Sequence, residues 1–326
     1  MSVKKVLVIR FRRIGDAVLS VVICSSIRKS FPEAEIHYVL NDHIAPLFEN
    51  HPDIDKIITF SDEENNHFFK YLRKVRQLMK TERYDVIIDT RATIKTLWFS
   101  AFSLRTKYRI GTSKFYNHFF HNYRVRNHVN DDLDEVVRNL LLLQPLEREG
   151  KLVMTTDFRL YVTEQETAEF KSYMEQKGIN FSRFIVVCTP FTRVARKAWD
   201  MEKMKEILYR IIQRYDAQLI FNYSREEKAA ALALYEDMGK DEHIFIDIEA
   251  DSLRKLVSML ETADFFFGNE GGPRHIAQAC HLPGLAIYPP WVELPRWLPS
   301  NDPRYQSVTL GAQEKAAIEK EGAELP

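Results

Sequence analysis

Along the chain, short apolar runs alternate with longer stretches whose apolar residues recur at helical spacing, the pattern of parallel strands joined by crossover helices. In the first half, "KVLVIRF" (5–11), "EIHYVL" (35–40), "KIITF" (56–60), "YDVIIDT" (84–90) and "KYRIG" (107–111) predict strands. Helices are predicted over 16–31, 63–80, from about 92, and over 132–143. A second series follows, with strands at "FIVVCTP" (184–190), "AQLIFN" (217–222), "HIFID" (243–247), "ADFFFG" (263–268) and "GLAIY" (284–288), and helices over 200–214, 225–237 and 252–261. The reading is α/β, two doubly wound domains spanning 1–155 and 156–326, joined between 145 and 180. Ligands of such sheets bind beyond the carboxyl ends of the strands, so the strand-to-helix loops are where chemistry is sought.

Composition narrows the partners. The 326 residues carry 46 basic and 46 acidic side chains, which gives no reason to expect nucleic acid. The halves differ: residues 1–150 hold 24 basic and 19 acidic side chains, so the first half is the one suited to an anion or an anionic surface. Cys24, Cys188 and Cys280 form no CxxC pair and sit in apolar runs, which fits a reducing compartment. The opening "MSVKKVLVIRFRR" is too short in apolar residues for a signal segment and no long apolar run follows, so a cytoplasmic protein with membrane contact only at its surface is expected.

Three loops could carry chemistry. "RFRRIGDAVLS" (10–20) has one glycine, Gly15, and is no dinucleotide fingerprint, so no nicotinamide or flavin cofactor is expected. Asp16 there reads either as a helix N-cap or as a carboxylate at the edge of strand one, able to take a proton from a hydroxyl nucleophile. "CTPFTRVARKAWDMEKM" (188–204) gathers Thr189, Thr192, Arg193, Arg196 and Lys197, either a phosphate site or a solvated basic loop, ahead of a helix that Asp200 caps. "NEGGPRHIAQA" (269–279) sets Gly271 and Gly272 before a helix start with Pro273 in its first turn; free N–H groups there suit an anion. His275 is either structural or a ligand contact, and Glu270 either holds a ribose hydroxyl or caps the turn.

These tracts, with "YDVIIDTRATIKTLWFSAFSLRTKYRIG" (84–111), resemble in their order the glycosyltransferase family 9 enzymes, which include the lipopolysaccharide heptosyltransferases. The resemblance implies a GT-B fold, two Rossmann-like domains facing across a cleft, an N-terminal one for the acceptor and a C-terminal one for the donor. It implies inverting, metal-independent transfer of a sugar, commonly from ADP-heptose, to a lipid-linked saccharide. Asp16 then matches the catalytic base and Lys197 the lysine that neutralises the leaving diphosphate, while Gly271, Gly272 and His275 fall on the donor-binding turn. Thr189, Thr192, Arg193 and Glu270 join the donor set. Glu270 stands where the family has aspartate and Gly271 where it has serine or threonine, so the donor's identity is open. No DxD motif lies in a suitable loop; "NDD" (130–132) reads as a helix start.

The acceptor side is sought in "RTKYRIGTSKFYNHFFHNYRVRNH" (105–128), six basic residues interleaved with aromatics and no acid. That composition suits a phosphorylated glycolipid at a membrane surface, or a structural loop with buried rings. Arg12, Arg13, Arg124 and Arg126 are the expected acceptor contacts. Two other readings remain at this level: a non-catalytic nucleotide-sugar binder of the same fold, and a two-domain sugar-binding or regulatory protein.

Overall fold

The computed structural model describes residues 3–126, 133–194, 197–292, 297 and 302–309. The chain divides into two compact units, Met1–Tyr161 and Val162–Pro326. The division falls six residues beyond the expected one because the chain up to Tyr161 is tied to the first unit. Thr155 N–H donates to Ser26 Oγ, Phe158 and Leu160 are buried, and Tyr161 stands edge-on to His51.

In the first unit the strands are β1 (Lys5–Ile9), β2 (Glu35–Asn41), β3 (Lys56–Phe60), β4 (Val86–Asp89), β5 (Tyr108–Thr112) and β6 (Tyr123–Val125), all paired in parallel in the order β3-β2-β1-β4-β5-β6. Its helices are α1 (Ile14–Ser30), α2 (Asp62–Asn66), α3 (Phe68–Thr81), α4 (Leu97–Ala101) and α5 (Glu135–Leu141). The helix expected over 63–80 is two. Ser61 caps α2 in a reciprocal pair with Glu64, and the extended backbone of His67 turns the chain before α3. α1 is buried from Gly15 to Ile27, which is why its sequence is apolar on every side rather than on one stripe. A knot of rings, Phe11, Phe60, Tyr71 and Phe99, fills the space under the sheet.

In the second unit β7 (Ile185–Thr189), β8 (Gln218–Phe221), β9 (Ile244–Phe245), β10 (Phe265–Asn269), β11 (Gly284–Ile287) and β12 (Tyr305–Val308) pair in parallel as β12-β11-β10-β7-β8-β9. The helices are α6 (Glu164–Gln176), α7 (Met201–Tyr215), α8 (Lys228–Asp237), α9 (Leu253–Glu261) and α10 (Gly272–Ala279). As expected, the Asp200 side chain caps α7, accepting from Lys203 N–H at 3.0 Å. Numbered from its own first strand, each sheet has the order 3-2-1-4-5-6. The strand order reverses between β1 and β4 and between β7 and β10, and a crevice opens at that point. The three cysteines are buried. Among the described residues no helix is long and apolar enough to cross a membrane.

Candidate functional site

At the switch point of the first unit, β1 stops at Ile9 and Arg10 turns inward. Its guanidinium donates to Thr90 Oγ1 at 3.2 Å, just past the end of β4, and pairs with Asp16 Oδ1 at 2.7 Å. Glu135, the first residue of α5, lies 3.9 Å from the same guanidinium and 3.0 Å from Arg138. Asp16 is therefore not the N-cap. Arg13 holds that position without a side-chain cap bond, and Asp16 is buried within the first turn, directed to an arginine. Arg12 and Arg13 bridge strand and helix with φ of 67° and 40°, two consecutive left-handed non-glycine residues, each a strain of about 1–3 kcal/mol. Both side chains are exposed. The Arg12 N–H is satisfied by Asn41 Oδ1 at 2.7 Å, which helps hold the conformation.

Two cations that the sequence reading passed over join this crevice. Arg91 follows β4, and burial together with the Arg10 guanidinium lowers its pKa. Lys95 is lowered by burial and by Arg12. Both lie close enough to the arginines of the β1–α1 loop for their like charges to be felt.

The acceptor tract divides. Arg109 donates to the carbonyls of Phe120, Leu104 and Thr106, Lys107 pairs with Glu149, and Lys114 donates to the Arg91 carbonyl, so these three cations build the loop itself. Arg124 and Arg126 are exposed on and just after the edge strand β6. Three strand spacings, about 14 Å, separate that strand from β1, so they do not gather with Arg12 and Arg13. The "NDD" segment lies outside the described residues.

At the switch point of the second unit the organising residue is Asn269, the last of β10. Its Nδ2 donates to the Pro190 carbonyl at 2.6 Å and its Oδ1 accepts from Trp199 N–H at 3.0 Å, so one buried side chain ties both ends of the 190–199 loop. The next residue, Glu270, takes Lys197 Nζ at 2.7 Å. Lys197 and Glu270, both expected at the donor site, are thus together. Thr192 and Arg193 lie on the outer part of that loop, and Arg196 is outside the described residues.

Thr189 behaves differently from expectation. Its hydroxyl is buried against Gly268, without a hydrogen-bond partner among the described residues. Gly268 is the glycine this turn cannot replace: φ is 154°, and an added Cβ would sit 2.3 Å from Thr189 Oγ1 and 2.4 Å from its carbonyl oxygen. Gly271, by contrast, has extended backbone (φ 174°) and only ordinary contact with Pro273, so neither conformation nor space demands glycine there. It precedes α10, whose first residue is Gly272. His275 is buried; desolvation and the adjacent Arg274 hold its pKa well below the usual imidazole range, so it is neutral at neutral pH. Arg274, also buried, donates to the Trp297 carbonyl at 2.9 Å and lies over the Tyr288 ring.

Among the described residues one His–carboxylate group is compact enough to share an ion, Glu35, His37 and Glu82. It lies at the opposite, amino end of the first sheet and is filled by Lys5 Nζ, 3.0 Å from Glu35 and 2.5 Å from Glu82. Lys5 and Lys56 hold the Glu82 carboxyl down at about 2. A cavity of about 550 Å³ along α3, with Lys56, Lys74 and Glu82 in its wall, includes none of the residues at the two strand-order reversals.

Two such sheets in succession, each with its polar residues at the strand-order reversal, define the architecture of GT-B glycosyltransferases. Residues 72–323 match the model of glycosyltransferase family 9 (heptosyltransferase), and the chain belongs to that family and is a glycosyltransferase. It is 25% identical over 286 residues to lipopolysaccharide heptosyltransferase 3 of Escherichia coli K12, covering 84% of this chain and 79% of that protein. In fold it is similar to a family 9 glycosyltransferase of Veillonella parvula (TM-score 0.82, 16% identity, 99% of this chain and 90% of that one). It is also similar to the E. coli heptosyltransferase WaaC solved with ADP-2-deoxy-2-fluoro heptose (TM-score 0.69, 15% identity, 97% and 99%).

Proposed function

We propose that the protein is an inverting, metal-independent heptosyltransferase that moves heptose from ADP-heptose to a lipopolysaccharide-core or other lipid-linked saccharide at the cytoplasmic face of a membrane. The first unit takes the acceptor and the second the donor. The acceptor oxygen forms its bond to the anomeric carbon as the bond from that carbon to the diphosphate oxygen breaks, and Asp16 receives the acceptor's proton. Negative charge gathers on the departing ADP, where Lys197 and the N-terminal N–H groups of α10 lie to receive it. The observation that carries the reading is the seat of Lys197, a cation fixed by Glu270 beside the helix start at the strand-order reversal of the second sheet. Arg12 and Arg13, with Arg91 and Lys95 behind them, suit the anionic groups of a phosphorylated acceptor.

The test is transfer from ADP-heptose to a lipid A-linked acceptor, with the anomeric configuration of the product read by NMR and the rate compared with and without a chelator. The reading predicts product of inverted configuration at an unchanged rate. Retention, or dependence on a divalent ion, contradicts it. A second reading, a nucleotide-sugar binder without turnover, draws on Asp16 and Lys197 both being engaged in ion pairs. It predicts donor binding and no product.

A further inference from the structure

The carboxyl edge of the first sheet carries side chains that neither the core nor the transfer chemistry uses. Phe68 and Phe69 open α3 at 53% and 82% exposure, and Ile94 stands at 70% exposure in the loop after β4. They form one neighbourhood. The Phe68 ring lies 6.1 Å from Trp98, the Tyr71 hydroxyl donates to the Lys95 carbonyl, and Lys95 Nζ reaches back to Asn65 just ahead of Phe68. The loop bearing Ile94 is thus laced to the start of α3, and both face the same edge as the crevice of Arg12, Arg91 and Lys95. Large apolar side chains held out in water at a rim of cations are unfavourable unless something covers them.

We propose that this rim inserts into an anionic lipid surface, with Phe68, Phe69 and Ile94 entering the headgroup–acyl boundary and the neighbouring cations meeting lipid phosphate. The choice of occupant rests on charge. Arg12, Arg13, Arg91 and Lys95 surround the crevice, and α3, which carries no acid, adds Arg73 within its first two turns. The nearby α2 carboxylates of Glu63 and Glu64 are taken up by Lys70 and Lys74. A second copy of the chain would bring the same cations face to face, whereas an anionic membrane satisfies apolar rim and charge together. The inference rests on the lipid-linked acceptor of the proposed function, and gives the enzyme a direct route to an acceptor that does not leave the membrane.

Flotation of the full-length protein with phosphatidylcholine vesicles, with and without phosphatidylglycerol, tests it. The wild type is expected to float with the anionic vesicles and to be released by salt. Phe68→Ser, Phe69→Ser and Ile94→Ser combined should weaken that partition at least about tenfold while leaving melting temperature and transfer to a soluble short acceptor unchanged. Tyr215→Ser with Leu232→Ser, exposed apolar residues of the second unit, serves as a control that should not alter partition. A wild type that stays in solution, equal binding to neutral vesicles, or a triple variant that floats like the wild type overturns the proposal. So does a triple variant whose only change is from dimer to monomer, since the face would then belong to a second copy. Failure of the transferase reading registers separately, as no turnover of ADP-heptose in either protein.

Discussion

Each unit sets a cation–carboxylate pair at the reversal of its sheet, and the two pairs are built to opposite ends. Arg10 and Asp16 are 5% and 11% exposed at the side chain, with Thr90 and Glu135 closing the guanidinium in. Lys197 and Glu270, 73 residues apart in sequence, are 28% and 13% exposed, and the lysine hangs from a loop that Asn269 ties at both ends. A buried pair loses heavily when one partner is removed, because the other is left charged without water. A partly open lysine pair is worth about 0–1 kcal/mol, so Lys197 can leave Glu270 for a phosphate at little expense. The first pair fixes a carboxylate; the second holds a cation in readiness.

That contrast can be broken by substitution. Arg10→Met should lower unfolding free energy by about 3–5 kcal/mol in urea denaturation, and Arg10→Met with Asp16→Leu should regain much of it. If the single change is silent, the first pair is not structural. Lys197→Met should raise the barrier to transfer by about 3–4 kcal/mol in kcat while moving stability by less than about 1 kcal/mol. A large stability loss with kcat intact would reverse the assignment of the two pairs.

The smallest effect is in the pH dependence of stability. Burial keeps His275 neutral in the fold, with a pKa well below its unfolded value near 6.5. The unfolded chain therefore binds a proton first as pH falls. Stability present above about pH 6.5 is lost below it, by about 1.4 kcal/mol per pH unit for this group until its folded pKa is reached. His37, His51 and His121, also lowered by burial, add to the slope, whereas Glu82 and Glu166, held at about 2, contribute only below the normal carboxylate range. Between pH 5 and 6.5, His275→Gln should remove one histidine's share of the slope. An unchanged slope would mean that His275 titrates normally.

How far the chain could be read follows from what is local. Apolar runs located ten of the twelve strands among the described residues because buried parallel strands are written as continuous hydrophobic segments. β6 and β12 are short edge strands, exposed at alternate positions, and carry no such run. α6 was passed over although Thr163 and Glu166 form a capping box at its start, a signal visible in sequence. In the site, Asp16, Lys197 and Glu270 stood out as charges beside strand ends. Asn269 did not, since an asparagine at the end of a strand reads as a turn residue and its two partners lie 79 and 70 residues away. Arg10 was hidden for a different reason. It continues an apolar run, and only the parallel pairing of β1 with β4 brings Thr90 to it.

In the proposed transfer Asp16 takes the acceptor's proton. Asp16→Asn, confirmed folded by its melting curve, is to be assayed for turnover with ADP-heptose and, on the same preparation, for donor affinity. The account predicts kcat reduced about 10²- to 10⁴-fold with donor affinity unchanged. Turnover equal to that of the wild type would contradict it.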